Sequence, residues 1–402
     1  MAEVPTQTKG AEETAQWGTP YELGAVRNQA RLIREVIRLV EPQVRKVISK
    51  EVATATTKVI MTGCGDSHYA GVGARLAFDM YSGVPTEPME SLEFSRYGVD
   101  FAPPNALVLG ISNSGAVSRT IETLVRARKR NLHTVAVTGS AESALARAGE
   151  ASIIQTVPQL AREERNPFAG GVPYGAGSLG LGNFVASLLT MYLVAFRLGE
   201  VRGHITEKDG QRLRNSLEGL EASLDTTAAT NEAAAKELAE RLWNVDAFYF
   251  LGGGPSYATA LFSAAKLFEQ PNLNGVPIEL EEWAHEQYFL TRPGTPIFVI
   301  CPPGRSHDRA LEQIRGARDM GGTVIGVCEE GDDVVRSSVD LALPISGRIP
   351  EEFSPLAYII PPMLFATALH QLRGRPPLVS TFSQEKMMQV NFRQIFHSVV
   401  SE

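Results

Sequence analysis

The chain has 402 residues, 44% of them hydrophobic and 21% charged, which allows two medium domains with separate cores. A formal charge of −7 gives no basic field for nucleic acid or an anionic membrane, although a local positive pocket for a small phosphate is compatible with it. Cys64, Cys301 and Cys328 are odd in number and far apart, and the seven histidines show no CxxC, HxH or HExxH spacing. Reduced thiols and a chemistry without metal or cofactor are therefore expected. Apolar stretches such as Ala186–Phe196 fall short of the roughly 20 residues that span a bilayer, and the N-terminus lacks an apolar signal core, so a cytoplasmic protein is expected.

Residues 1–20 are polar and end at Pro20, which suits a mobile arm. From Tyr21 to about Val52, Leu23, Val26, Ala30, Ile33, Val36, Ile37 and Val40 recur at helical spacing and predict one or two amphipathic helices. A strand over 58–62 then runs into the turn Gly63–Gly65, a helix over Tyr69–Tyr81 and an extended Thr86–Met89. The pattern repeats as strand Ala106–Ile111, the loop Ser112-Asn113-Ser114-Gly115, helix Arg119–Arg130, strand His133–Thr138, helix Ala141–Ala148 and strand Ser152–Thr156. An apolar helix over Phe184–Gly199 closes this unit, and connecting helices are expected from Thr206 to Arg241.

The cycle restarts with strand Phe248–Leu251, the loop Gly252–Ser256, helix Tyr257–Phe268, strand Ile297–Cys301, a Pro/Gly turn, helix Ala310–Met320 and strand Thr323–Cys328. Such alternation implies an α/β fold in which parallel sheets are covered by helices on both faces. The distance from Gly63 to Gly252, about 190 residues, marks a duplication at domain scale. The expected division is an arm at 1–20, a first domain at 21–200, connecting helices at 201–241, a second domain at 242–385 and a C-terminal tail at 386–402.

In open α/β sheets ligands sit beyond the carboxyl ends of the strands, where backbone amides and helix N-termini favour an anion. Two loops of the first unit fall there. Gly63-Cys64-Gly65-Asp66-Ser67 supplies a tight turn and a hydroxyl, and Ser112-Asn113-Ser114-Gly115 supplies two hydroxyls and an amide, a set suited to a phosphate monoester. A lone Gly-x-Gly turn also serves as a plain connection or opens a dinucleotide fingerprint, but His68 stands where GxGxxG needs glycine or alanine. Ser-Asn-Ser-Gly alone could cap a helix; its place after a second strand of the same sheet favours ligand binding. The second unit's loops, Gly252–Ser256 and Pro302–Ser306, lack the Ser-x-Ser pattern, leaving Arg305 as their candidate anion group.

On these residues the sequence resembles the SIS family, whose members include the isomerase half of glucosamine-6-phosphate synthase, sugar-phosphate isomerases and deglycases of fructosamine 6-phosphates. The resemblance covers nearly the whole chain. The synthase loops read Cys-Gly-Thr-Ser and Ser-Gln-Ser-Gly-Glu-Thr; here they stand as Cys64-Gly65-Asp66-Ser67 and Ser112-Asn113-Ser114-Gly115-Ala116-Val117, so the phosphate hydroxyls Ser67, Ser112 and Ser114 carry over. Val117 lacks the family's last loop hydroxyl, for which Ser118 or Thr120 are the candidate replacements, and Asp66 puts a carboxylate where threonine touches the sugar. In the second unit, Ala260–Glu269 parallels the helix that carries the active-site lysine and glutamate, placing Lys266 and Glu269 there. The family's catalytic histidine lies sixteen residues further, and 285 − 269 = 16 puts His285 in register. Taken singly, a helical glutamate is usually a solvated face and a lone histidine a cap or core residue; the matched spacing decides against both. Arg393–Glu402 aligns with the synthase's mobile tail, with His397 at its Schiff-base lysine.

The resemblance implies two tandem flavodoxin-like, three-layer SIS domains binding a phosphorylated sugar or amino sugar between them, with Gly65, Asp66, Ser67, Ser112, Asn113 and Ser114 at the substrate. It also implies Glu269 as the base that moves a proton between C1 and C2, His285 as the ring-opening group, Lys266 as an electrostatic partner, and a homodimer in which the histidine reaches the neighbouring site. His397 cannot form an imine but can shuttle protons. With that lysine missing and no glutaminase domain in the sequence, deglycation or aldose–ketose isomerisation is expected ahead of amine transfer. A non-catalytic sugar-phosphate sensor is the rival, although the N-terminal arm offers no DNA-reading module, and neither nucleic acid nor membrane is an expected partner.

Overall fold

The computed structural model describes residues 26, 29–155, 180–374 and 384–400. The expected arm at 1–20 and the last residue of the expected strand Ser152–Thr156 lie outside the described residues. By their contacts, 30–155, 180–221 and 388–400 form one unit, and 222–374 and 384–387, with 26 and 29, form the other.

The first unit contains α1 (Gln29–Val47), β1 (Val59–Gly63), α2 (Asp66–Tyr81), β2 (Thr86–Glu90), β3 (Leu107–Ser112), α3 (Ser118–Lys129), β4 (His133–Thr138), β5 (Ala151–Ile154), α4 (Leu181–Arg202) and α5 (Glu207–Glu218). Its strands are all parallel, in the order β2-β1-β3-β4-β5. Every residue of β1 and β3 is buried, as parallel strands covered on both faces require. A short helix, Ala144–Ala148, starts later than Ala141 because Ser143 caps it, its hydroxyl accepting from the Ala146 amide.

The second unit contains α6 (Glu221–Leu242), β6 (Ala247–Gly252), α7 (Pro255–Glu269), β7 (Asn274–Glu279), β8 (Pro296–Cys301), α8 (His307–Asp319), β9 (Thr323–Glu329), β10 (Leu341–Ile345) and α9 (Ile360–Arg373), while most of α10 (Gln384–Ile395) belongs to the first. The order β10-β9-β8-β6-β7, again all parallel, is that of the first sheet read from its other edge. Each unit is thus a flavodoxin-like three-layer α/β domain, as the alternation predicts. In each, the first strand leads outward in one direction and the third in the other, which puts a switch point between β1 and β3 and another between β6 and β8.

Sequence reading misses β7 and β10. Both contain a proline, Pro277 and Pro344, and both are sheet edges, where a missing amide costs no ladder hydrogen bond. A second correction concerns α4. It runs 22 residues between Gly180 and Gly203, both left-handed, so it is long and apolar enough to cross a membrane by length and composition, which Ala186–Phe196 alone is not. Most of it is buried in the domain core, where Gln155 donates to Ser187 Oγ (2.9 Å) and accepts from Thr190 Oγ1 (3.4 Å).

Candidate functional site

The switch point of the first sheet brings together the loops after β1 and β3, which pair directly. The first loop turns through Gly65 at φ 54°, ψ −130°, a conformation outside the ordinary range of residues with a Cβ, and α2 begins at Asp66, earlier than expected. Neither Gly65 nor Val117, the residues before α2 and α3, caps its helix with a side chain, so two sets of first-turn amides face the crevice without a side-chain acceptor. In the second loop Ser112 Oγ accepts from the Gly115 amide (3.2 Å), Ser114 Oγ accepts from the Ala116 amide (3.3 Å), and the two hydroxyls lie 3.4 Å apart. Asn113 is pinned through its carbonyl, which accepts from the Gly139 amide at 2.9 Å. Gly115, at φ 60°, packs so tightly that a Cβ would come within 2.3 Å of Ser143. The loop is therefore held in one shape by its own hydroxyls and amides.

Around this loop the side chains differ in burial. Ser67 and Asp66 are half-buried in the first turn of α2, where a carboxylate also suits the positive end of the helix. Cys64 is exposed. The candidate replacements for the missing threonine hydroxyl are both enclosed: Ser118 is buried, and Thr120 Oγ1 lies 3.0 Å from Ser91 Oγ and 3.9 Å from Cys64 Sγ, which ties α3 to the first loop. His68 is buried behind Ser67 with Nε2 3.2 Å from a Glu90 oxygen. Burial holds its imidazole below the ordinary range, and Glu90 opposes that only in part.

A group that the sequence does not reveal stands beside the serine loop. Glu122, in the second turn of α3, is wholly buried and accepts from Arg96 Nε (2.8 Å) and Nη2 (3.2 Å), from Ser95 Oγ (3.2 Å) and from Arg119. Arg119 Nη2 also donates to Ser398 Oγ (3.2 Å) and to the Val399 carbonyl, so the tail after α10 is tied to the start of α3 next to His397.

In the second unit the corresponding loops repeat the geometry at a fixed offset: 252 − 63, 301 − 112 and 307 − 118 all equal 189. Gly254 adopts φ 54°, ψ −127°, nearly the values of Gly65. The chemistry differs. Glu351 reaches into the loop after β8, accepting from the Arg305 backbone amide (3.0 Å) and from its guanidinium (2.7 Å). The expectation that Arg305 is open to an external anion is therefore corrected: a carboxylate of the same chain holds both its amide and its side chain.

Lys266 is wholly buried on α7, with Nζ 2.8 Å from Glu269 Oε2 and 4.4 Å from the centroid of the Phe262 ring. Glu269 is the last residue of α7, an unfavourable place for a carboxylate against the helix dipole, and Lys266 offsets that charge. His285 follows a short helical turn, is 63% exposed, and bonds Glu281 Oε1 through Nε2 (3.2 Å). Arg309 holds Glu281 through two nitrogens (2.6 and 3.0 Å) and keeps its carboxyl below the usual range, with a smaller contribution from His285. The structure thus joins Lys266 to Glu269 and seats His285 on Glu281, while His397 is exposed on the tail.

Comparison with known proteins places this geometry. The chain is 28% identical over 322 residues to glutamine–fructose-6-phosphate aminotransferase of Methanothermobacter thermautotrophicus, covering 80% of this chain and 50% of that protein. It is 26% identical over 380 residues to the Streptomyces coelicolor enzyme of the same name, covering 93% and 56%. The chain thus spans about half the length of the curated relatives it matches. Among solved structures it resembles the C-terminal domain of glucosamine-fructose-6-phosphate aminotransferase from Francisella tularensis (TM-score 0.74, 20% identity, covering 89% of this chain and 97% of that one). It also resembles glucosamine-6-phosphate deaminase from Thermotoga maritima (TM-score 0.63, 17% identity, 90% and 98%). With residues 53–162 and 241–370 both matching the SIS domain, one in each unit, the chain belongs to the SIS domain family.

Proposed function

We propose that the chain is an enzyme that moves a proton between C1 and C2 of a 6-phosphosugar, or of its 1-amino-1-deoxyketose derivative. The observation that carries this reading is the Glu269 carboxylate held 2.8 Å from a wholly buried ammonium, sixteen residues before His285. A structural helix has no need to bury a lysine to support a terminal glutamate, whereas a base that must stay placed and charged does. The relatives bearing aminotransferase names and the preformed serine loop support a phosphorylated substrate.

In this reading Ser67, Ser112 and Ser114 hold the phosphate with the amides around Gly65 and Asn113, and Asp66 receives a sugar hydroxyl or ammonium. His285 opens the ring, Glu269 takes the C1 proton of the open-chain ketosamine, and the enaminol is reprotonated at C2. Water then hydrolyses the imine to an aldose phosphate and free amine. Plain isomerisation uses the same proton transfer without the imine. His397 carries no primary amine, so it forms no Schiff base; its imidazole is able to shuttle protons, the alternative being a tail that only covers the site.

The test is a panel of fructosamine 6-phosphates, glucosamine 6-phosphate and hexose 6-phosphates, run with wild type and Glu269→Gln. We expect turnover of at least one substrate and a loss of about 100-fold or more in the variant, the usual contribution of a general base. Binding of the panel without turnover would make the protein a sugar-phosphate sensor. A borohydride-stable adduct on Lys266 would return the reading to amine transfer.

A further inference from the structure

We propose that Arg119 is a positioning residue: it latches the C-terminal tail to the start of α3 and thereby sets where His397 stands. Its guanidinium is anchored on one side by Glu122, which is wholly buried and fixed independently by Arg96 and Ser95. The other side donates to Ser398 Oγ at 3.2 Å and to the Val399 carbonyl. At Val399 the backbone makes the attachment, because its side chain is 82% exposed and packs on little. Two residues before it stands His397, and four residues before Arg119 lies Gly115 of the serine loop.

The charges favour the same role. Two guanidiniums share the carboxylate of Glu122, and among the described residues the tail meets Arg119 with neutral acceptors. Arg119 stands in the first turn of α3 and adds its positive charge to that of the helix dipole there. A phosphate on the serine loop offsets that charge without needing the nitrogen that holds the tail, so ligand binding and tail docking reinforce one another.

This role rests on the proposed reading of His397, and the experiment separates the two. Amide exchange of residues 396–400 is measured with and without sugar phosphate, for wild type, Arg119→Ala and Arg119→Lys, beside steady-state kinetics and their pH profiles. Arg119→Lys serves if the alanine variant fails to fold, because one ammonium reaches Glu122 but cannot span to the tail. We expect exchange of the tail to rise about tenfold or more in both variants, the scale of losing a charge-assisted hydrogen bond. We also expect kcat to fall with the pH dependence due to His397, and His397→Ala to add nothing further in the Arg119→Ala background. Unchanged exchange would overturn the latch whatever the kinetics show. Freed exchange with unaltered kcat and pH profile would overturn the positioning role and, with it, the reading of His397.

Discussion

Cys64 stands in the loop proposed to bind phosphate and is exposed, whereas Cys301 and Cys328 face each other across β8 and β9 inside the second core. Burial pushes the Cys328 thiol up to about 12 and the Cys301 thiol further still, so neither supplies thiolate near neutral pH. Iodoacetamide at mild pH should therefore modify Cys64 alone in the native protein and all three cysteines after denaturation, read by peptide mass spectrometry. A sugar phosphate should slow the Cys64 reaction; an unaltered rate at saturating ligand would remove the phosphate from that loop. His68, next to Ser67, gives a pH test. Burial lowers its folded pKa, so the unfolded chain takes up the proton first as pH falls below about 6.5, and stability present above that pH is lost as pH drops through the folded value. The Tm advantage of wild type over His68→Asn should shrink between about pH 7.5 and about pH 5.5, and a constant difference would show that His68 does not titrate this way. At this scale the Lys266–Glu269 pair is legible, because residues three apart on a helix are neighbours. Glu122 and Arg119 are not: both read as ordinary polar positions on an amphipathic helix, and only folding shows the one buried and the other tied to residues 279 and 280 positions away.

Strands with unbroken apolar runs, such as β3 and β8, announce themselves, and so do helices that open on glycine turns. The edge strands divide: β2, despite Pro88, and β5 are legible, whereas β7 and β10, each a short run interrupted by a proline, are not. The duplicated loops teach the complementary lesson. Their backbone is repeated at an offset of 189 residues with nearly the same glycine dihedrals, yet one loop presents serine hydroxyls and the other is filled by Glu351, some 45 residues further along the chain. No local motif announces that carboxylate. Glu351→Ala should release the Arg305 amide and guanidinium at a cost of no more than about 1 kcal/mol, because both are solvent-exposed and water takes the carboxylate's place. It should also uncover an anion cradle, so that added phosphate raises the Tm of the variant more than that of wild type. Equal phosphate responses would mean that the second loop has lost the geometry of an anion site and not merely its vacancy.

For the whole molecule, the exposure of His285 and its bond to Glu281 rather than Glu269 motivate a second copy of the chain as the place where the histidine acts. Phe289 and Leu290, 71% and 59% exposed, extend the same segment outward as an apolar surface. Mixing inactive Glu269→Gln with inactive His285→Ala under subunit exchange should restore part of the activity, up to about a quarter for random pairing of two copies. No recovery despite verified exchange would confine the two groups to one chain. The helix α4 carries another kind of consequence. As a 22-residue segment it satisfies the length and hydropathy of a membrane span, and 83% burial within the core is what withdraws it from that competition. Until the sheet has formed, this segment has the length and hydropathy of an anchor with nothing to cover it. Of its polar residues, Thr190 turns its hydroxyl back on the Ala186 carbonyl and Ser187 takes a bond from Gln155, so closing the core covers the apolar face and satisfies both hydroxyls.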